Sequence, residues 1–109
     1  MQISTRTSND IQIVAITGSL DSTTSPDAQK SLDTMLAGAK KVALDFSALD
    51  YISSAGLRVL LGVAKKLRAS GGTLGMFGLN QSVREVFEIS GFSSILSVYQ
   101  SEGEAVGAM

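Results

Sequence analysis

Residues 41–61 read KVALDFSALDYISSAGLRVLL, and the changes of pattern along this stretch decide the architecture. It opens on Lys41-Val42-Ala43-Leu44-Asp45-Phe46, a compact apolar run of the kind buried on both faces of a parallel sheet. The polar segment Ser47 to Ile52 reads as a loop. From Ser54 to Ala69 the period becomes helical. Leu57, Leu60, Leu61, Ala64 and Leu67 share one stripe, while Arg58, Lys65, Lys66 and Arg68 lie largely off it. Strand, loop and helix in this order make the first part of a right-handed crossover, which needs a parallel strand to follow.

That strand is Thr73-Leu74-Gly75-Met76-Phe77, set off by Gly71-Gly72. Beyond it a third helix starts near Asn80 or Ser82, where Ser82-x-x-Glu85 fits a capping box, and buries Val83, Val86 and Phe87. Gly91 with Phe92 reads as a glycine C-cap with a hydrophobic contact. Ile95 to Tyr99 offers a last short strand, and Ser101 to Met109 a frayed tail or a final helical turn. Upstream, Ser25 as cap, Pro26 at the first helical position and Asp27 at the positive end of the dipole start a helix carrying Ala28, Leu32, Met35 and Leu36, with Gly38 as its stop. Gly18 to Thr24 reads as a loop. Before it, Ile11 to Thr17 is β-branched and nearly continuous, Ile3, Thr5 and Thr7 alternate with polar neighbours, and Ser8-Asn9-Asp10 between the two runs implies an antiparallel hairpin. The expected fold is one α/β domain over residues 1–109, a mixed sheet of four to five strands with an antiparallel edge hairpin, flanked by three to four helices.

Composition narrows the function. Nine basic and ten acidic residues leave a net charge of −1, without the basic excess of a protein that neutralises phosphates, so no direct nucleic-acid contact is expected. The chain has no Cys, His or Trp. Thiol nucleophiles, His bases and Cys or His metal sites are therefore excluded, and neither a cofactor nor a metal is expected. The best apolar run, Ile11 to Leu20, contains Gln12, Thr17, Gly18 and Ser19 and falls short of the roughly 20 residues of a membrane span. Met1 to Asp10 has no apolar signal core, so a cytoplasmic location is expected.

Open α/β sheets place their sites at the carboxyl ends of strands, and Ser53-Ser54 follows such an end at the mouth of a helix. Ala55 and Gly56 put little bulk beside Ser54. The free N–H groups and partial positive charge of a helix N-terminus would favour a phosphate there. The same two serines are also what a helix start needs for capping. Asp21 and Asp45 lie on different loops without a base or nucleophile pattern around them, and Asp21 is equally a turn residue. Ser54 and Lys65 are about three helical turns apart, which argues against a Ser–Lys catalytic pair.

The run Asp45-Phe46-Ser47 … Leu49-x-Tyr51-Ile52-Ser53-Ser54-Ala55-Gly56-Leu57-Arg58-Val59-Leu60-Leu61 resembles the anti-sigma factor antagonists, or STAS domains. Gly18-Ser19-Leu20-Asp21, Gly71-Gly72, Val83 to Phe87 and Ser90-Gly91-Phe92 extend the resemblance over residues 2–100. It implies a non-enzymatic switch. The unphosphorylated protein would bind an anti-sigma factor that is also a serine kinase, releasing a sigma factor. Phosphorylation of one serine would end the binding, and a PP2C-type serine phosphatase would reset it. Carried over by position, the phosphoacceptor is Ser54, with Ser53 the second choice. The partner surface comprises Asp21, Ser53, Ser54, Gly56 and Arg58, and the protein is expected to be a monomer alone. One departure is that Ser53 stands where many members carry Asp. The alternatives are a non-switching STAS scaffold or binding subunit of a signalling or transport complex, and a small hydrolase using Ser54.

Overall fold

Asn9 (φ 51°) and Asp10 (φ 66°) form the turn that folds strand β1 (Gln2–Ser8) back on β2 (Ile11–Leu20). Two left-handed central residues give the turn whose twist matches antiparallel strands, and Asn and Asp tolerate that conformation best after glycine. The computed structural model describes residues 1–90 and 97–109. After β2 come α1 (Ser25–Met35), β3 (Lys41–Asp45), β4 (Leu49–Ile52), α2 (Ser54–Ala69), β5 (Thr73–Phe77), α3 (Gln81–Ser90), β6 (Ser97–Tyr99) and α4 (Glu102–Ala108). The main sheet runs β1-β2-β3-β5-β6; β1 and β2 pair antiparallel and every other pair is parallel.

The segment 47–52, read as a loop, contains β4. β2 is long enough to serve two partners: Gln12–Ala15 pair with Val42–Asp45 of β3, and Gly18–Leu20 pair with Leu49–Ile52 of β4. The chain leaves β3, turns at Phe46–Leu49, and rejoins the same neighbour further along. A register shift at Gly18 and Ser19 breaks the alternation. Leu49 and Ile52 are buried while the adjacent Asp50 and Tyr51 are exposed, so no period-two pattern announces the strand. For the same reason β2 continues through Gly18–Leu20, where a loop was expected. Gly18 sits at φ +96°, a conformation that glycine enters without steric cost, and its N–H donates to Ala48 O at 3.0 Å.

α2 begins at Ser54 and ends at Ala69, as its apolar stripe indicates. α1 is capped at Thr24, not Ser25. Ser25 lies inside the first turn, buried, with its hydroxyl donating to the Asp21 carbonyl. α3 is capped by Asn80, whose Oδ1 accepts the Val83 N–H at 2.8 Å, in place of the Ser82–Glu85 box; Glu85 instead accepts from Gln81. The C-terminal turn is a helix, α4, with Ser101 Oγ accepting from the Glu104 N–H at 3.2 Å. The expected cap at Gly91-Phe92 and the first residues of the Ile95–Tyr99 strand lie outside the described residues.

Alternation along the central strands makes two cores. Val14, Ile16, Val42, Leu44 and Met76 face α1, α2 and α3, where Ala28, Leu32, Leu60, Val83 and Phe87 close the larger one. Ile11, Ile13, Ala43 and Phe77 face the other way and are covered by Ala105 of α4. An exposed ion pair also joins Arg6 on β1 to Glu102 of that helix. Among the described residues no helix is long and apolar enough to cross a membrane.

Candidate functional site

β2 and β4 end side by side, with Leu20 opposite Ile52, and this brings the Asp21 loop against the start of α2. The Ser53 N–H donates to Leu20 O at 2.9 Å, so the two loops share a backbone hydrogen bond. Ser53 is extended (φ −99°, ψ 176°) and caps α2: its Oγ accepts the Gly56 N–H at 3.4 Å and its carbonyl accepts the Leu57 N–H at 3.0 Å. Ser54 is the first helical residue. Ser53 is half-buried and Ser54 is exposed. Of the two adjacent hydroxyls, the first is engaged in the cap and the second stands toward solvent at the positive end of the helix.

Gly56 is buried beneath this turn. A Cβ there would stand 2.6 Å from Leu20 O and 2.9 Å from Leu20 Cγ and Ile52 Cγ1. Gly56, expected on the partner surface, is thus placed where it lets α2 lie against the ends of β2 and β4. Arg58, one turn beyond Ser54, is exposed. With Ala55 it lines one side of an open groove, and Pro26 and Gln29 of α1 line the other.

The Asp21 loop is tied internally. Asp21 Oδ1 accepts the N–H groups of Thr23 (2.9 Å) and Thr24 (3.0 Å). The Thr24 hydroxyl lies 2.9 Å from Ser19 O and 3.0 Å from the Asp21 N–H. The Thr24 amide, followed by the Thr23 amide and the Thr24 hydroxyl, holds the Asp21 carboxyl below its usual range against a smaller opposing effect of desolvation. Asp21 is therefore a turn-forming carboxylate and, being only half-buried, a charge presented beside the α2 start.

Thr24 and Asn80 escape a reading for chemistry. Asn80 Nδ2 donates to Leu49 O at 3.0 Å, so the residue that caps α3 also holds β4. Its place after a strand and before a helix is the only signal it carries in the sequence. Asp45 is remote in role from Asp21: its carboxylate accepts the N–H of Ser47 at 3.0 Å and the Ser47 hydroxyl, and so shapes the turn between β3 and β4.

Comparison with known proteins bears on the family and the fold. The STAS domain profile matches residues 2–105. BtrV of Bordetella bronchiseptica, whose name describes an anti-sigma factor antagonist, is 56% identical over 71 residues, 65% of this chain and 61% of its own length. The chain thus spans about three fifths of that relative. The anti-sigma-B factor antagonist of Listeria monocytogenes is 31% identical over 108 residues, covering 98% of this chain and 94% of that protein. A crystal structure from Thermotoga maritima, titled as an anti-sigma factor antagonist, superposes with a TM-score of 0.91 over 97% of this chain and 92% of its own, at 21% identity.

Proposed function

The chain belongs to the STAS domain family, and from this premise we propose that it is an anti-sigma factor antagonist switched by phosphorylation of Ser54. Unphosphorylated, it binds an anti-sigma factor of the serine-kinase class through the Asp21 loop and the start of α2, and the sigma factor goes free. The kinase transfers the γ-phosphoryl group of ATP to Ser54 Oγ, releasing ADP and the hydroxyl proton, and the complex separates. A PP2C-type serine phosphatase hydrolyses the phosphoester with water to restore the hydroxyl. The chain performs no covalent step; it is the substrate of both enzymes and works in the cytoplasm.

The observation that carries this reading is the division of labour between the two serines. Ser53 is committed to the helix cap and Ser54, next to it, is exposed at the helix mouth. Phosphate at this position gains from the α2 N-terminus and from Arg58 one turn away. The names of the relatives over most of their length support the partner class.

The test incubates the protein with ATP and a serine-kinase anti-sigma factor from its own host, then maps phosphate by mass spectrometry. Label on Ser54, lost in Ser54→Ala while that variant still binds the kinase, is the expected result. Label on Ser53 with Ser54→Ala unaffected overturns the assignment. Stable kinase binding without any label favours the non-switching scaffold.

A further inference from the structure

The far ends of α1 and α2 enclose a cavity that the partner surface does not use. It holds about 240 Å³. Its floor is Leu32 and Leu36 of α1 and its continuation, with Val63 and Leu67 of α2. Leu32, Val63 and Leu67 are buried in the main core, so the floor is fixed by packing that folding already requires. The rim is polar. Lys66 Nζ reaches Asp33 Oδ1 at 2.7 Å across the two helices, and Lys40 Nζ donates to Ser70 O at 2.6 Å. Two ammonium groups and one carboxylate therefore stand at the mouth of an apolar chamber.

We propose that this cavity binds a small amphiphilic anion, an aliphatic carboxylate with its chain on the leucine floor and its head between Lys40 and Lys66. Size and charge both select this class. A dry apolar cavity of about 150 Å³ already holds benzene, so the present one takes a chain of several more carbons. The rim carries one positive charge more than it neutralises, which an anion completes and a cation opposes. The present partners of the lysines are a solvent-exposed carboxylate and a carbonyl at a helix end, which a ligand carboxylate replaces at little cost because exposed pairs are weak. The site lies toward the opposite end of α2 from Ser54, with Val63, Lys66 and Leu67 about 14–20 Å along the helix from it. It does not depend on the phosphorylation reading.

The probe is octanoate, titrated into the intact protein and followed by amide chemical shifts, with octylammonium and octanol as chain-matched controls. A ligand of about ten non-hydrogen atoms at about 0.3 kcal/mol per atom has a Kd on the order of 5 mM. The expected result is saturable shifts confined to residues 32–40 and 63–70, with octylammonium inert and octanol weaker. The double variant Lys40→Gln, Lys66→Gln alters exposed side chains and keeps the fold; it should weaken octanoate about fivefold and leave octanol unchanged. Absence of saturation at several times that concentration, equal binding of octylammonium, or an unaltered octanoate affinity in the double variant overturns the proposal.

Discussion

Replacing Gly56 by alanine should loosen the seat of α2 on the sheet. The added methyl would stand 2.6 Å from Leu20 O and 2.9 Å from both Leu20 Cγ and Ile52 Cγ1. None of these atoms can retreat cheaply. Leu20 O accepts the Ser53 N–H at 2.9 Å, and Leu20 and Ile52 are paired strand residues at 0% and 1% exposure. Overfilling a packed core costs about 1–3 kcal/mol. Alanine returns at most about 1 kcal/mol through helix propensity, and less in a first turn than in a helix interior. The net loss is about 1–2 kcal/mol, which for a domain of this size lowers Tm by roughly 5–15 °C. Thermal unfolding followed by circular dichroism reads it directly. A Tm equal to or above that of the parent would show that α2 does not need this close approach, and the account of Gly56 would fall. Because Gly56 is buried, any fall in partner affinity in the folded variant arises from displaced Ser53 and Ser54.

Three further outcomes concern the α2 start and the Asp21 loop beside it. Ser53→Ala should cost about 0.5–1 kcal/mol, the low end for a cap because its hydrogen bond is long at 3.4 Å, and should still accept phosphate at Ser54; loss of labelling with the fold intact would count against Ser54. Protein phosphorylated on Ser54 should melt at the same temperature as the unmodified form or slightly above it, since an anion at a helix N-terminus gains about 0.3–1 kcal/mol; a melt many degrees lower would mean that the switch works by unfolding. The Asp21 carboxyl is depressed in the folded state, so its contribution is fully present above the unfolded value near 4 and is lost as pH falls through the folded value. Asp21→Asn should therefore flatten the acid side of the Tm–pH curve below about pH 4, and parallel curves for the two proteins would refute the role given to the Thr23 and Thr24 amides.

Much of the architecture is legible because burial imposes period. The stripe of α2 and the apolar run of β3 each record a face turned to the core, and their bounds follow from where the record stops. β4 is illegible for the opposite reason. Its four residues sit beside a register shift, so Leu49 and Ile52 face inward across two exposed neighbours, and neither helical nor strand period describes them. Helix caps are hard to place where several capping types crowd together: the cap of α1 is one residue earlier than expected, and of the two starts offered for α3 the structure takes Asn80. Thr24 and Ser25 compete at α1, and Asn80 and Ser82 at α3. Thr24 is held by a local bond to Ser19 O, and Asn80 by a tertiary bond to Leu49 O.

The site is legible in its side chains and illegible in its assembly. Asp21, Ser53, Ser54 and Arg58 can be picked out by chemistry, yet nothing in their spacing says that residue 21 lies against residue 53. That closeness is made by main chain: Ser53 N–H to Leu20 O, Gly18 N–H to Ala48 O, and the α2 backbone at Gly56 resting on Leu20. Backbone groups are the same at every residue, so a contact between two of them leaves no mark in side-chain pattern. The exception is a position where a side chain would obstruct the approach or where the backbone enters the left-handed region. Gly18 and Gly56 are those positions, one in β2 ahead of the Asp21 loop and one in the first turn of α2. A glycine inside a strand and another in the first turn of a helix run against local propensity, and each departure marks a point where two chain segments meet. On this argument a side chain at residue 18 or residue 56 disturbs the relation of Asp21 to Ser54 more than removal of the Ser53 hydroxyl does, because the cap orients one turn of helix while the glycines set the distance between the two loops.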